Sequence, residues 1–265
     1  MLPKLVVTDL DGTIVRSDGT VSAYTHVVLK RCHEAGVPVV GATGRGPRLT
    51  GLSREQLPSA TYFVLGGGGR VLDLTGAEPV VLRDARFEAS ELERLIAALE
   101  ERFGPLSLTV EVSDGERSPL WSEDPTWPYP DAIEQHDRAE LFGARSIIKA
   151  FLRVEPDLGD DIVKAAPELP NCGVELIQAW PGFVEITPPH IDKATGCTII
   201  TDLLDISPMD VIAFGDQLND VPLFRWAGRR IAVSNAHPEL AALASDITTS
   251  NDEDGVAVYL DRLLA

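Results

Sequence analysis

Asp9 and Asp11 stand two residues apart in KLVVTDLDGTIV (residues 4–15), where an apolar run gives way to a Gly-Thr turn. Like charges held this close oppose each other's ionisation unless a cation neutralises one or a proton sits on the other. The pair is therefore either a solvated turn or a reactive site. Two further apolar runs end in polar groups of useful chemistry. VPVVGATG (37–44) ends at Thr43 and is followed by Arg45, and DVIAFGD (210–216) ends at Asp216, just ahead of Asn219 and Asp220. Lys193, one of only five lysines in the chain, opens a helix-like stretch before the last of these runs. A single Asp-Gly after a strand is commonly only a turn. Three polar strand ends in this order, with a lysine before the third, are poorly explained as turns.

Such residues converge only if the strands lie side by side with their carboxyl ends together. KLVVTD is continuously apolar rather than alternating, as in a strand buried on both faces. A helix follows over Ala23–Ala35, with Ser22 as N-cap and Gly36 as stop. TYFVLGGGGRVLDL (61–74) reads as two strands around a glycine turn. Later in the chain the pattern predicts helices over 192–204 and 218–228, strands over 210–216 and 230–235, a helix from His237 and a short strand near Ile247. This alternation predicts an α/β fold, a Rossmann-like and mostly parallel sheet with helices on both faces. Open parallel sheets form their sites beyond the carboxyl ends of the strands.

Residues 84–186 read differently, as an inserted α+β module between core segments 1–83 and 187–265. From Asp84 to Glu185 there are 22 acids against 9 bases, a net of −13 within the chain's −18. Three of the four tryptophans, Trp121, Trp127 and Trp180, lie here. A helix over 87–103 leads to a strand in LSLTVEVSDGE with an Asp-Gly turn signal. A proline-rich patch, a strand in SIIKAFLRV, a helix near DDIVKAAPEL and a strand pair around PGF follow.

The acidic balance is the reverse of what phosphate counterion displacement needs, so nucleic acids and anionic membranes are excluded as partners. A small anion met by a local cationic spot fits better. Cys32, Cys172 and Cys197 are few and widely spaced, suggesting neither a disulfide framework nor a zinc site. No apolar run reaches the roughly 20 residues of a membrane helix, and the acidic pair begins too early for a secretory leader. A cytoplasmic protein is expected.

DLDGT, ATGR, Asp192-Lys193 and GDQLND together resemble the four motifs of the haloacid dehalogenase superfamily of aspartate-nucleophile phosphatases. The large insert resembles the αβ cap of its Cof-type branch, and the likeness covers the whole chain. It implies a phosphatase acting on a small-molecule phosphate ester, a sugar phosphate or similar, through an aspartyl-phosphate. In that chemistry Asp9 attacks phosphorus, and Asp11 protonates the leaving alcohol and then takes a proton from water. Asp9, the backbone carbonyl of Asp11, and Asp216 would hold Mg²⁺, an oxygen-preferring cation. Thr43, Gly44, Lys193 and the helix N-terminus that Lys193 begins would neutralise phosphate oxygens. Leu10, Arg45 and Asn219 complete the implied substrate-binding set, Asn219 touching phosphate or metal-bound water. Asp220 would support Lys193 or the metal.

Two positions depart from the pattern. LGGGG (65–69) stands where Cof-type chains usually carry Asn-Gly, and its amides either serve a plain hairpin turn or face an anion. Ala194 replaces the common glycine after the lysine. The rival readings are a phosphohexomutase of the same superfamily and a receiver-like phosphate-accepting signalling module.

Overall fold

In the computed structural model, all residues are described except 1, 114–117, 129–132, 145, 170–173, 181 and 189. The expected Asp-Gly turn at Asp114-Gly115 and part of the proline-rich patch lie outside the described residues. The chain forms two compact units: residues 1–45, 49–83 and 192–265 make the first, and 46–48 and 84–191 the second.

The first unit contains β1 (Leu5–Thr8), α1 (Ala23–Glu34), β2 (Val39–Ala42), α2 (Thr50–Gln56), β3 (Tyr62–Leu65), β4 (Arg70–Asp73) and β5 (Val80–Asp84). The second unit interrupts it with α3 (Ala89–Phe103), β6 (Ser107–Val112), β7 (Leu120–Ser122), β8 (Ile133–Gln135), α4 (Arg138–Gly143), β9 (Ile147–Arg153), α5 (Gly159–Ala165), β10 (Glu175–Trp180) and β11 (Phe183–Thr187). The first then resumes with α6 (Lys193–Leu204), β12 (Val211–Gly215), α7 (Val221–Trp226), β13 (Arg229–Ala232), α8 (Pro238–Ala241), β14 (Asp246–Ile247) and α9 (Gly255–Leu264).

Strand order in the first sheet is β14-β13-β12-β1-β2-β3-β4-β5, with β14 through β3 parallel and β4 antiparallel to β3. From β1 the chain proceeds outward through β2 on one side, and later returns to place β12 on the other. The order therefore reverses between β1 and β12, the crevice where open sheets of this type bind ligands. Continuous apolarity in β1 follows from burial on both faces. Val6 joins Val28 and Leu29 of α1 and Val256 and Leu260 of α9, whereas Leu5 and Val7 join Cys197 and Ile200 of α6 and Leu223 of α7.

The helix expected over 218–228 divides in two. A 3₁₀ turn covers Leu218–Asp220, and α7 starts at Val221 with Pro222 in its first turn, where a missing N–H costs nothing. The helix expected from His237 is a single turn, capped by the His237 side chain. α2, β5 and α9 carry no sequence pattern strong enough to predict them. Among the described residues, no helix is long and apolar enough to cross a membrane.

The second unit is a six-stranded sheet, β10-β11-β9-β6-β7-β8, antiparallel apart from the β7–β8 pair. Leu92, Leu95, Ile96 and Leu99 of α3 recur at helical spacing and pack on Leu108, Val110, Ala150 and Leu152. Trp127 is buried edge-on against Phe151 and Phe183, and Trp121 stacks on His136 while its indole N–H donates to Glu134. Both rings serve the unit's packing. The strands β7 and β8 and helix α4 are further elements the sequence reading leaves unassigned.

Candidate active site

β1 delivers Asp9 at its carboxyl end, with the Asp9 N–H still bonded to the Phe214 carbonyl of β12 at 3.0 Å. The chain then turns sharply. The Leu10 carbonyl accepts from the amides of Thr13, Ile14 and Val15 at 3.2, 3.0 and 2.8 Å, and its side chain is buried in the core. Leu10 can meet a substrate only through its main chain, which narrows the role expected of it. Gly12 sits at φ +78°, and a β-carbon there would collide with the Asp216 carboxylate. Glycine is needed twice over, for the left-handed backbone and for the close approach.

The Asp11 side chain leaves this turn outward, 58% exposed, and meets the nearly buried Arg45. Arg45 grips it with two nitrogens, Nε to Oδ2 at 2.7 Å and Nη2 to Oδ1, while Nη1 donates to Gln56 Oε1 at 2.6 Å. The guanidinium is thereby committed to Asp11, two residues beyond Asp9. Neighbouring Thr43 is buried, and its hydroxyl oxygen accepts from the Arg45 N–H at 3.1 Å.

The glycine run settles the course of this loop. Gly66 N–H donates to the Arg45 carbonyl at 2.8 Å and Gly67 N–H to the Thr43 carbonyl at 3.0 Å. These amides are spent on the protein, so the anion-facing alternative fails for both. Gly66, Gly67 and Gly68 all have positive φ, and a β-carbon on Gly68 would strike the Asp192 carbonyl. The run is more than a plain hairpin turn: it lets the start of α6 approach β3.

α6 opens with a capping box, in which Asp192 accepts from the Thr195 N–H at 2.7 Å and its own N–H donates to Thr195 Oγ1. Lys193 follows with a fully buried side chain. Its Nζ lies 2.6 Å from both Asp9 Oδ1 and Asp220 Oδ1. The other oxygen of Asp220 accepts from the amides of Asp216 and Gln217 at 3.0 and 3.1 Å. Both oxygens being engaged, Asp220 braces Lys193 and the turn after β12. Asp216 receives the Thr13 hydroxyl on Oδ1 at 2.8 Å. Asn219 Nδ2 comes near Gly44, at 3.4 Å from the position a β-carbon would take there.

Burial strains this group electrostatically. Burial pushes the Asp216 carboxyl up to about 6, with the Thr13 hydrogen bond opposing and the Asp220 charge assisting. Burial likewise holds Asp9 well above the usual carboxylate range, against the pull of Lys193. Burial would strip Lys193 of its proton, but the Asp220 and Asp9 carboxylates overcome that and push its pKa up. Ionised Asp9 and Asp216 thus call for positive charge beyond that of Lys193.

Among the described residues, Asp9, Asp216 and Asp220 form the group of acids whose oxygens lie within 4.8 Å of one another. With Asp220 engaged by Lys193 and two amides, Asp9 and Asp216 are the carboxylates suited to a cation. Asn219 Oδ1 is buried with no hydrogen-bond partner among the described residues, as suits a group facing a metal-bound water or a ligand. The donors are all hard oxygens, which fits Mg²⁺. The structure brings together Asp9, Thr43, Lys193, Asp216, Asn219 and Asp220 at adjacent strand ends. Thr13, Gln56, Asn235 and Asn251 also belong to this neighbourhood and escape the sequence reading. Asn235 alone carried a signal there, as another polar residue just beyond a strand.

The chain matches the family of haloacid dehalogenase-like hydrolases over residues 6–260. It is 28% identical over 284 residues to the 5-amino-6-(5-phospho-D-ribitylamino)uracil phosphatase YwtE of Bacillus subtilis, covering 99% of this chain and 98% of that protein. A putative phosphatase of Haemophilus influenzae is 26% identical, with 99% and 98% covered. Among solved structures, the phosphatase BT1666 of Bacteroides thetaiotaomicron superposes with a TM-score of 0.83 at 21% identity, covering 98% of this chain and 95% of that one. SMU.1108c of Streptococcus mutans gives 0.85 at 20% identity, with 99% of each chain covered.

Proposed function

Since the chain belongs to the haloacid dehalogenase-like hydrolases and is a phosphatase of their Cof-type branch, we propose that it is a Mg²⁺-dependent phosphomonoesterase working through a phosphorylated Asp9. The observation that carries this reading is the buried Asp9 carboxylate, braced by Lys193 at 2.6 Å beside Asp216 where β1 and β12 part.

Asp9 Oδ attacks phosphorus in line with the ester oxygen; the P–O(alkyl) bond breaks and a proton from Asp11 goes to the departing alcohol. Asp11 then takes a proton from water as that water attacks the aspartyl-phosphate, releasing phosphate and regenerating Asp9. Asp11 must leave its Arg45 partner to carry a proton, and its exposed position permits that movement. Lys193, Thr43 and the Gly44 amide stabilise the charge on the transferring phosphoryl oxygens, and Asp220 fixes the direction of the Lys193 ammonium. Asp9, the Asp11 carbonyl and Asp216 would hold Mg²⁺, with Asn219 beside it. Bound there, the ion would neutralise phosphoryl oxygens and keep Asp9 ionised.

The substrate class is a small phosphorylated metabolite, a sugar phosphate or similar polyol phosphate. The ribityl phosphate in the names of three curated relatives supports it, and the insert of residues 84–186 would select among such esters. The test is phosphate release from a panel of phosphorylated metabolites, including 5-amino-6-(5-phosphoribitylamino)uracil, with Mg²⁺ and with EDTA. Release that stops with EDTA and with Asp9→Asn is expected. Full turnover after verified metal removal, or by Asp9→Asn, refutes the reading. Asp11→Asn should slow alkyl phosphates far more than p-nitrophenyl phosphate, whose leaving group needs little protonation.

A further inference from the structure

Asn235 lies just beyond β13, exposed, yet each end of its amide is engaged. Nδ2 donates to the Gly12 carbonyl at 2.8 Å, and Oδ1 accepts from the Asn251 N–H at 2.9 Å. The Asn251 N–H can only donate, so the Asn235 oxygen must face it and the amide nitrogen must face Gly12. Asn251 is buried and its own Nδ2 donates to the Val15 carbonyl at 2.9 Å. Two linked asparagines therefore hold the carbonyls at both ends of the Gly12–Val15 turn, the turn that follows Asp9 and Asp11.

We propose that Asn235, locked by Asn251, is a positioning residue that sets the Asp216 carboxylate for the cation by fixing the Gly12–Thr13 peptide. Gly12 has no side chain and an unusual φ, so its own conformational preference does not decide which way that peptide faces. The Asn235 bond at 2.8 Å holds its carbonyl, and the Leu10 carbonyl, at 3.2 Å, holds its N–H. With the peptide fixed, Thr13 presents its hydroxyl to Asp216 Oδ1 at 2.8 Å. The carbonyl of Asp216 is meanwhile held by the His237 N–H at 2.7 Å, two residues beyond Asn235. One short segment, 235–237, thus restrains Asp216 from its backbone directly and from its side chain through Thr13. Residues behind a metal's ligands orient them and tune the affinity.

The inference rests on the Mg²⁺ reading above, and direct Mg²⁺ binding by calorimetry on the full chain separates the two. Asn235→Ala weakens Mg²⁺ binding by about five- to tenfold, in the range of one lost supporting hydrogen bond, with the melting temperature of the metal-free protein nearly unchanged. Thr13→Val weakens it as well, and Asn235→Ala added to Thr13→Val weakens it no further, because the asparagine acts through the threonine. Asn235→Asp keeps the shape and the acceptor for Asn251 but loses the donor, so it also binds Mg²⁺ more weakly despite its added negative charge. That variant decides the matter if Asn235→Ala does not fold. Mg²⁺ affinity within twofold of wild type in Asn235→Ala, additive losses in the double variant, or tighter binding by Asn235→Asp each overturn the inference alone. Absence of Mg²⁺ binding by the wild-type chain overturns the metal reading and this inference together.

Discussion

Replacing Lys193 by methionine removes the ammonium while keeping most of the side chain's volume. The Lys193 side chain has no exposure and bonds two buried carboxylates at 2.6 Å, so the variant leaves Asp9 and Asp220 facing each other without a cation. Asp220 keeps two amide donors on its other oxygen, and most of the penalty falls on Asp9. Removing one partner of a buried pair costs about 3–5 kcal/mol. At about 2–4 °C per kcal/mol for a protein of this size, the melting temperature should fall by roughly 10 °C near neutral pH, and turnover should be lost. The sign of the pH dependence follows from Asp9. Burial already raises its pKa above the unfolded value, and losing Lys193 raises it further. A carboxyl with a raised folded pKa is penalised above that pKa and relieved as pH falls below it. The gap in melting temperature between wild type and variant should therefore narrow from about pH 8 to about pH 5. Calorimetric melts in EDTA at several pH values measure this. An unchanged melting temperature at neutral pH, or a gap that widens on acidification, refutes the placement of Lys193 between two ionised acids.

Gly12→Ala forces a left-handed backbone on a residue with a side chain, at about 1–3 kcal/mol, and presses a methyl group on the Asp216 carboxylate; Mg²⁺ binding should suffer more than the melting temperature, and calorimetry reads both. Arg45→Ala removes a nearly buried, bidentate partner of Asp11 together with its bond to Gln56, worth about 1–3 kcal/mol. Its melt should fall by a few degrees while alkyl phosphates slow more than p-nitrophenyl phosphate; equal slowing of both would show that Arg45 has no part in placing Asp11. Replacing residues 84–186 by a short Gly-Ser linker should leave a core that still hydrolyses p-nitrophenyl phosphate but no longer discriminates among metabolites. The ratio of kcat/KM for the best metabolite to that for p-nitrophenyl phosphate is the measure, and an unchanged ratio in a folded protein removes the insert from specificity.

By itself the sequence determined the parallel α/β core and the polar residues at its strand ends. A strand covered on both faces must be continuously apolar, so the position where apolarity stops, at Asp9, Thr43 and Asp216, is visible in one dimension. Lys193 was legible because lysine is rare in this chain and stands at a helix start. The tertiary structure alone decided what each group faces. Arg45 belongs to the implied substrate-binding set until the β2 loop is seen to aim it at Asp11, and LGGGG reads as a hairpin until Thr43, Arg45 and the start of α6 are found against it. Asp220 reads as a support of either Lys193 or the metal until Lys193 and two amides are found on its oxygens. Thr13 and Asn251 carry no local pattern of their own, and Asn235 shows only a polar residue beyond a strand, because the groups they hold around Asp9 and Asp216 are more than 200 positions away in the chain. Periodicity and strand ends record burial, which each segment carries within itself; hydrogen-bond partnership between distant segments exists only once the sheet has brought their ends together.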